Sequence, residues 1–165
     1  GNLKITGFET VRRNWSLLAK QVQEEVLRMV LSDEKEGALQ YVKAIIEKLK
    51  AGEIKLDKLV LKTQITRELS QYKSIGPHVL VARKMKEKGY SVVPGTVVEY
   101  VIVKGSGLVR ERAKLLDEVK DGGYDADYYL HHQLLPAGSE IFVVLGHSED
   151  EILGKGKQKG LRDFF

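Results

Sequence analysis

Residues 15–51 carry a hydrophobic pattern with the period of an α-helix, and this pattern constrains the fold most strongly. Within Trp15–Leu31, apolar side chains recur every four residues, so one face of a helix would be apolar. Glu34–Ala51 repeats the pattern after the short connection Ser32-Asp33, and Gly52 stands where a helix commonly ends. We therefore expect two amphipathic helices that form an αα-hairpin.

A third helix and a small sheet are predicted in the middle of the chain. A helix is expected over Pro77–Lys88, because proline suits the first helical turn, where its missing N–H would have no partner. Thr96–Val103 is β-branched and apolar between glycine-rich turns, which is the strongest strand signal. Ser91–Val93 is its expected partner strand, and Lys58–Lys62 is expected to be extended.

The last predicted element is a helix over Asp125–Leu145, which Pro136 is expected to kink or break. Together these elements predict an α+β fold, mainly helical, with an αα-hairpin and a small antiparallel sheet.

Composition excludes several classes of protein. Of the 165 residues, 42% are hydrophobic and 30% are charged, which is typical of a globular chain with a core and not of a disordered one. The absence of cysteine excludes disulfides, thiolate zinc sites and a cysteine nucleophile. No apolar run approaches the roughly 18–20 residues that a bilayer needs, and residues 1–10 lack the apolar segment of a signal peptide. We expect a soluble, cytoplasmic protein without a membrane partner.

Positive charge is concentrated in the middle of the sequence. The net charge is +4, but the stretch from Lys43 to Lys88 holds twelve basic and five acidic residues, a net +7. The rest of the chain therefore carries −3. Such a distribution favours binding of a polyanion, and a solvated lysine-rich surface is the alternative.

Three short patterns would bear on catalysis or metal binding, and none is complete. Asp125 and Asp127 superficially resemble the carboxylate pair of a two-metal site, but two acids at a helix N-terminus are the favoured interpretation. His131 and His132 would point about 100° apart on a helix, so they are poorly placed to bind one ion. Gly105-Ser106-Gly107 lacks the lysine of a phosphate-binding loop.

The segment Gln64–Lys84 mixes basic, aromatic and hydroxyl side chains. Hydrogen-bond donors of these kinds fix a DNA backbone without reading its bases, and the N-terminus of the predicted helix at Pro77 favours a phosphate. An ordinary basic surface loop is the alternative. The donors are Thr66, Arg67, Ser70, Tyr72, Lys73, Ser74 and His78.

The final residues, Gln158–Phe165, follow the pattern Q-x-x-L-x-x-F-F. One helical turn of this peptide would present Leu161, Phe164 and Phe165 as a single apolar plug, with Gln158 in a separate pocket. The pattern is typical of the box that binds a sliding clamp. The alternative is that the aromatic side chains fold back onto this chain.

Five blocks of sequence carry a more specific signal when they are taken together. They are GFETVRRNWS (7–16), QITRELSQYKSIGPHVLVARK (64–84), VVPGTVVEYVIVKGSG (92–107), YDADYYLHHQLLP (124–136) and KQKGL (157–161). In order and spacing, over essentially the whole chain, they resemble the C-terminal part of archaeal family B DNA polymerases. One departure is Asn14, where the family usually has an aspartate.

The resemblance implies a division of the chain and a set of DNA contacts. Residues 1–14 would leave the palm, residues 15–153 would form a thumb-like domain, and residues 154–165 would be a basic tail with the clamp-binding box. Arg12 and Arg13 would lie near the palm junction. The side chains implied to approach the DNA backbone are Arg12, Arg13, Thr66, Arg67, Tyr72, Lys73, His78, Lys104 and Ser106.

The resemblance also implies a function: the chain would be the thumb of a DNA-directed DNA polymerase, a nucleotidyltransferase. It would hold primer–template duplex and bind the sliding clamp. The family's catalytic carboxylates belong to palm blocks upstream, so no catalytic residue, metal ligand or cofactor is expected here. Mg²⁺ is expected in the palm, within the remainder of the polymerase. The chain would be a part of a longer enzyme or the small subunit of a split one.

Two functions of other classes remain as alternatives. A clamp-interaction or scaffold module would contact protein only, with the basic stretch as plain solvated surface. An independent nuclease or transferase would use Asp125 and Asp127.

Overall fold

The computed structural model describes residues 15–138, and these divide into two compact units. Within that range, the first unit comprises residues 18–51 and 127–138, and the second comprises residues 15–17 and 52–126. The α+β fold is confirmed: the described residues form helices and a small antiparallel sheet. No helix in this part of the chain is long and apolar enough to cross a membrane.

The first unit contains the predicted helical hairpin. Helix α1 (Leu17–Leu31) and helix α2 (Lys35–Lys50) confirm both predicted helices to within two residues at each end. The chain turns between them at Asp33, which has a positive φ of 61°. Both helices bury their apolar stripes, and the buried apolar residues are Leu18, Ala19, Val22, Val26, Leu27, Ala38, Leu39, Val42, Ile46 and Leu49.

The helical segment near Pro136 contains a π-helical turn. Helix α4 (Ala126–Tyr129) continues through a π-helix at Leu130–Leu134 into helical residues 135–138, and the π-helix packs against α2. Because Pro136 has no N–H and its ring crowds the carbonyl four residues earlier, the regular hydrogen-bond ladder must change close to it. The π-helical turn at Leu130–Leu134 is the point at which the hydrogen-bond ladder changes. The rest of the predicted helix, to Leu145, lies outside the described residues.

The second unit contains a three-stranded antiparallel sheet in the order β1–β2–β3. The strands are β1 (Leu61–Gln64), β2 (Val97–Ile102) and β3 (Ala113–Lys114). Strand β2 confirms the predicted strand at 96–103. The predicted extended segment at 58–62 is only partly correct, because Leu56–Lys58 is a 3₁₀ turn. Strand β3 was not predicted, since two residues are too few to show an alternating pattern.

The predicted partner strand at Ser91–Val93 is wrong, because β1 pairs with β2 instead. Pro94 and Gly95 form the turn before β2, and the φ of Gly95 is 100°. The Thr96 N–H donates to the Val93 carbonyl at 3.0 Å across this turn. Proline followed by a glycine with positive φ is typical of a type II turn. The twist of that turn splays the flanking segments, so a two-residue hairpin is disfavoured here.

Helix α3 (Pro77–Glu87) confirms the predicted helix and packs against β2 and β3. It buries Val79, Val81 and Ala82. On β2, the side chains of Val98, Tyr100 and Ile102 share one face of the sheet and are buried. Val101 lies on the opposite face and is buried as well. Both faces of the central strand are therefore covered at that point.

Gly122→Ala should destabilise the chain more than the matched change Gly89→Ala. Both glycines have a positive φ, 76° and 95°, so each alanine bears the strain of left-handed backbone, about 1 kcal/mol. A Cβ at Gly122 would also lie 3.3 Å from the Gly52 carbonyl oxygen, whereas nothing lies within 4 Å of one at Gly89. We expect a loss of about 2 kcal/mol for Gly122→Ala in urea unfolding. Equal losses for the two variants would contradict this close backbone approach.

Candidate nucleic-acid interface

Tyr72 is the centre of a polar cluster in the second unit. Its Oη accepts a hydrogen bond from the Thr66 backbone N–H at 2.9 Å and lies 3.4 Å from the Thr66 hydroxyl. The guanidinium carbon of Arg67 lies 5.3 Å from the centroid of the Tyr72 ring, a cation–π contact. The His78 ring meets the same ring edge-on, with 5.7 Å between centroids. The structure thus brings four predicted site residues together.

The end of β1 fixes one side of this cluster. The Ile65 N–H donates to the Thr96 carbonyl at 2.7 Å, and the Ile65 carbonyl accepts from the Gly95 N–H at 2.6 Å. These bonds hold the backbone immediately before Thr66. The 3₁₀ turn Leu69–Gln71 then reverses the chain and returns Tyr72 to Thr66.

The start of α3 fixes the other side. Gly76 is the N-cap residue, and no side chain caps this helix. A Cβ on Gly76 would lie 3.2 Å from two atoms of the His78 ring, so the glycine leaves room for the imidazole. Because Pro77 has no N–H, the donors of this helix end begin at His78, where the helix dipole is positive.

The surroundings of the two rings shift their pKa values. Burial alone would raise the pKa of the Tyr72 phenol, but hydrogen bonds from Thr66, with the positive charge of Arg67, together lower it. Partial burial lowers the pKa of His78 from its ordinary value of 6.5. His78 is therefore neutral at pH 7, with one ring N–H as a donor.

The remaining predicted contacts fall in two places. Lys73 is exposed next to Tyr72, so the Tyr72 cluster is defined as Thr66, Arg67, Tyr72, Lys73 and His78. Lys104 and Ser106 are exposed in residues 104–107, named here the Lys104 loop.

Strand register separates the two patches. Gln64 at the end of β1 lies opposite Val97 at the start of β2, whereas the Lys104 loop follows the other end of β2. The length of β2, about 17 Å at roughly 3.4 Å per residue, therefore lies between the end of β1 and this loop.

Cations in the second unit differ in whether an acid already neutralises them. Lys62 pairs with Glu99 at 3.4 Å, and Lys88 lies 4.0 Å from Glu118. Within residues 15–138, no ion pair involves Arg67, Lys73 or Lys104. Both predicted patches therefore carry uncompensated positive charge among the described residues.

An open cleft of about 340 Å³ in the second unit adds two more cations. The 3₁₀ turn that precedes Tyr72 lines one side, and the C-terminal half of α3 lines the other. Its lining residues are Leu69, Ser70, Arg83, Lys86 and Glu87. The first three lysines of the basic stretch, by contrast, belong to α2 in the first unit, so this stretch is shared between units.

Asp125 and Asp127 have different environments. The Asp125 carboxylate accepts a hydrogen bond from Arg112 Nη1, a partner that the sequence analysis did not identify, whereas Asp127 is exposed. His132 stacks on Tyr128, with 4.7 Å between ring centroids. In the part of the chain that the structure describes, no three His, Asp or Glu side chains are grouped to hold a metal ion.

The other predicted site residues lie outside the described residues and stay predictions. They are Arg12, Arg13, Gln158, Leu161, Phe164 and Phe165.

Comparison with known proteins identifies the family. The model for DNA polymerase family B matches residues 1–145 of the sequence. The chain therefore belongs to DNA polymerase family B.

Individual relatives agree with this assignment. The sequence is 40% identical to a DNA polymerase of Thermococcus aggregans and 42% identical to one of Thermococcus gorgonarius, over 98% and 96% of this chain. It covers only 9% and 21% of the lengths of those two relatives. Among solved structures, it is similar to the family B DNA polymerase of the hyperthermophilic archaeon Pyrobaculum calidifontis. That match has a TM-score of 0.68 and 40% identity, and it covers 78% of this chain and 18% of that one.

The lowered pKa of His78 predicts how stability depends on pH. The unfolded chain binds a proton at His78 more readily than the folded chain, so this contribution to stability is present above about pH 6.5 and is lost as the pH falls. Urea unfolding between about pH 7.5 and 5 should show a smaller decrease for His78→Asn than for the wild type. His131→Asn, at an exposed histidine, is the control and should retain the wild-type decrease. Equal pH dependence in all three proteins would contradict the burial argument.

Proposed function

We propose that this chain is the thumb portion of a family B DNA polymerase and that its second unit holds the backbone of primer–template duplex. The Tyr72 cluster carries this proposal. It combines two exposed cations, a neutral imidazole, a hydroxyl and an uncapped helix N-terminus in one small area. Donors of these kinds suit phosphate oxygens, which position a protein on a duplex without reading its sequence.

The two patches lie beyond opposite ends of β2, a strand about 17 Å long. Phosphates of one DNA strand follow one another about every 3.4 Å along the duplex axis, so the two patches can reach different phosphates. The Tyr72 cluster and the Lys104 loop would then contact separate phosphates of the same duplex. The cleft lined by Arg83, Lys86 and Glu87 has one more cation than acid, and it adds a net positive charge next to the 3₁₀ turn that precedes Tyr72.

The proposed contribution to catalysis is positional. The chain would keep the primer end in place, which converts binding energy into correct alignment of the reacting groups. The catalytic carboxylates and their Mg²⁺ would belong to the palm, in the remainder of the polymerase, and Arg12 and Arg13 would lie near that junction. The palm would be supplied by the same polypeptide or by a larger subunit of a split enzyme.

The salt dependence of duplex binding tests this function. With roughly 4–6 phosphates contacted, the slope of log K against log salt concentration should be about −4 to −5. Arg67→Ala and Lys73→Ala should each reduce its magnitude by about 1, since each removes one phosphate contact. Lys62→Ala is the control from the same basic stretch, because its ammonium is already paired with Glu99. A wild-type slope near zero would contradict duplex binding.

We further propose that Gln158, Leu161, Phe164 and Phe165 attach the chain to a sliding clamp. Removal of residues 158–165 should abolish clamp binding in a calorimetric titration and leave the duplex salt slope unchanged, since the partners and surfaces differ. The protein-only clamp module predicts another result: the tail deletion would remove all measurable binding, and Arg67→Ala with Lys73→Ala would change nothing.

A further inference from the structure

A partly buried arginine lies beneath the Lys104 loop. Arg112 Nη1 donates one hydrogen bond to the Val103 carbonyl at 2.9 Å and another to the Asp125 carboxylate. The Val103 N–H donates in return to the Arg112 carbonyl, also at 2.9 Å. Arg112 therefore holds Val103, the residue immediately before Lys104, through both its main chain and its side chain.

Gly105 packs on the aliphatic part of the same side chain. A Cβ at Gly105 would lie 3.3 Å from Arg112 Cδ and 3.9 Å from Cγ, and the φ of Gly105 is 152°. The arginine methylenes thus form the surface on which the Lys104 loop turns, and a side chain at Gly105 would press against them.

Asp125 belongs to a segment that runs beside the end of β2. Its N–H donates to the Ile102 carbonyl at 2.9 Å, and the Lys104 N–H donates to the Gly123 carbonyl at 3.1 Å. Val103 and Tyr124 form an isolated antiparallel bridge between these two bonds. The loop is consequently tied to residues 123–125 by backbone bonds and by the Arg112–Asp125 ion pair.

The ion pair compensates a charge that solvent reaches poorly. The side chains of Arg112 and Asp125 are only 14% and 18% exposed. Arg112 Nε is buried and has no hydrogen-bond partner among the described residues. The guanidinium therefore depends on the Asp125 carboxylate and the Val103 carbonyl, and loss of the carboxylate would leave a cation without its counter-charge.

We propose that Arg112 and Asp125 are positioning residues that hold Lys104 and Ser106 where they contact a duplex phosphate. The inference rests on the proposed duplex binding. Arg112 would act through the loop and not on DNA directly, because its charge is satisfied by Asp125 and its side chain is largely covered. Asp125, for which the sequence favours a place at a helix N-terminus, would thus serve as an anchor for a DNA-binding loop.

A double-mutant cycle tests this inference on the complete chain, with a fixed primer–template duplex at several salt concentrations. Lys104→Ala should weaken binding about three- to tenfold and reduce the salt slope by about 1. Arg112→Gln should weaken binding to a similar degree. In the Arg112→Gln background, Lys104→Ala should weaken duplex binding by less than about a further twofold, because the Lys104 loop is no longer held in place.

Matched variants separate positioning from general destabilisation. Lys73→Ala in the Arg112→Gln background should keep its full effect, because the Tyr72 cluster is held by β1 and α3. Arg112→Lys keeps the charge but replaces the delocalised, weakly hydrated guanidinium with a strongly hydrated ammonium that suits a covered ion pair less well, so binding should fall between the wild type and Arg112→Gln. Asp125→Asn provides the same cycle if circular dichroism shows that Arg112→Gln does not fold.

Failure of the inference and failure of the proposed function give different results. A wild-type salt slope near zero would overturn duplex binding and the positioning role with it. A normal wild-type slope, with an undiminished Lys104→Ala effect in the Arg112→Gln or Asp125→Asn background, would overturn the positioning role alone.

Discussion

The antiparallel pairing of β1 with β2 determines where the proposed DNA contacts lie. The register places Gln64 opposite Val97, and the bonds of Ile65 to Gly95 and Thr96 continue this pairing to the edge of the Tyr72 cluster. The opposite end of β2 leads directly into the Lys104 loop. One strand pair thus fixes two positively charged patches at a set distance, and a shift of register by one residue would turn the β1 side chains to the other face.

Within each patch, the sequence combines a cation with backbone features that hold it. In the Tyr72 cluster, an aromatic ring accepts the Arg67 cation and meets His78, and a glycine N-cap leaves room for that imidazole. The Lys104 loop is held by the partly buried Arg112–Asp125 ion pair and by Gly105, which packs on the methylenes of Arg112. Both patches present donors and positive charge, which is the chemistry that a phosphate backbone requires.

Local patterns predicted the helices well, because α1, α2 and α3 each carry their periodicity, caps or proline within the element itself. The sheet was predicted only in part. Strand β2 has a clear β-branched run, but its partner β1 lies more than thirty residues earlier, and sequence proximity instead favoured Ser91–Val93. A type II turn geometry at Pro94-Gly95 decides against that hairpin, and it is a backbone property that residue patterning does not weigh.

The residues of the proposed site also differ in how well the sequence alone indicates them. All five residues of the Tyr72 cluster lie between positions 66 and 78, so the composition of a single segment is enough to select them as candidates. The Arg112–Asp125 pair joins residues on separate elements, and only the pairing of Val103 with Arg112 and Tyr124 brings them together. In the sequence, their charges resemble a surface cation and a helix-terminal acid, which gives no signal for a partly buried pair.

Chemical-shift mapping of the ¹⁵N-labelled chain against primer–template duplex tests the central claim most directly. The amide signals that shift most should belong to residues 66–78 and 104–106, with little change at Lys62 and Glu99, whose charges already pair with each other. Shifts centred on residues outside both patches, or no saturable shifts at low salt, would contradict a duplex-binding surface built on these two ends of β2.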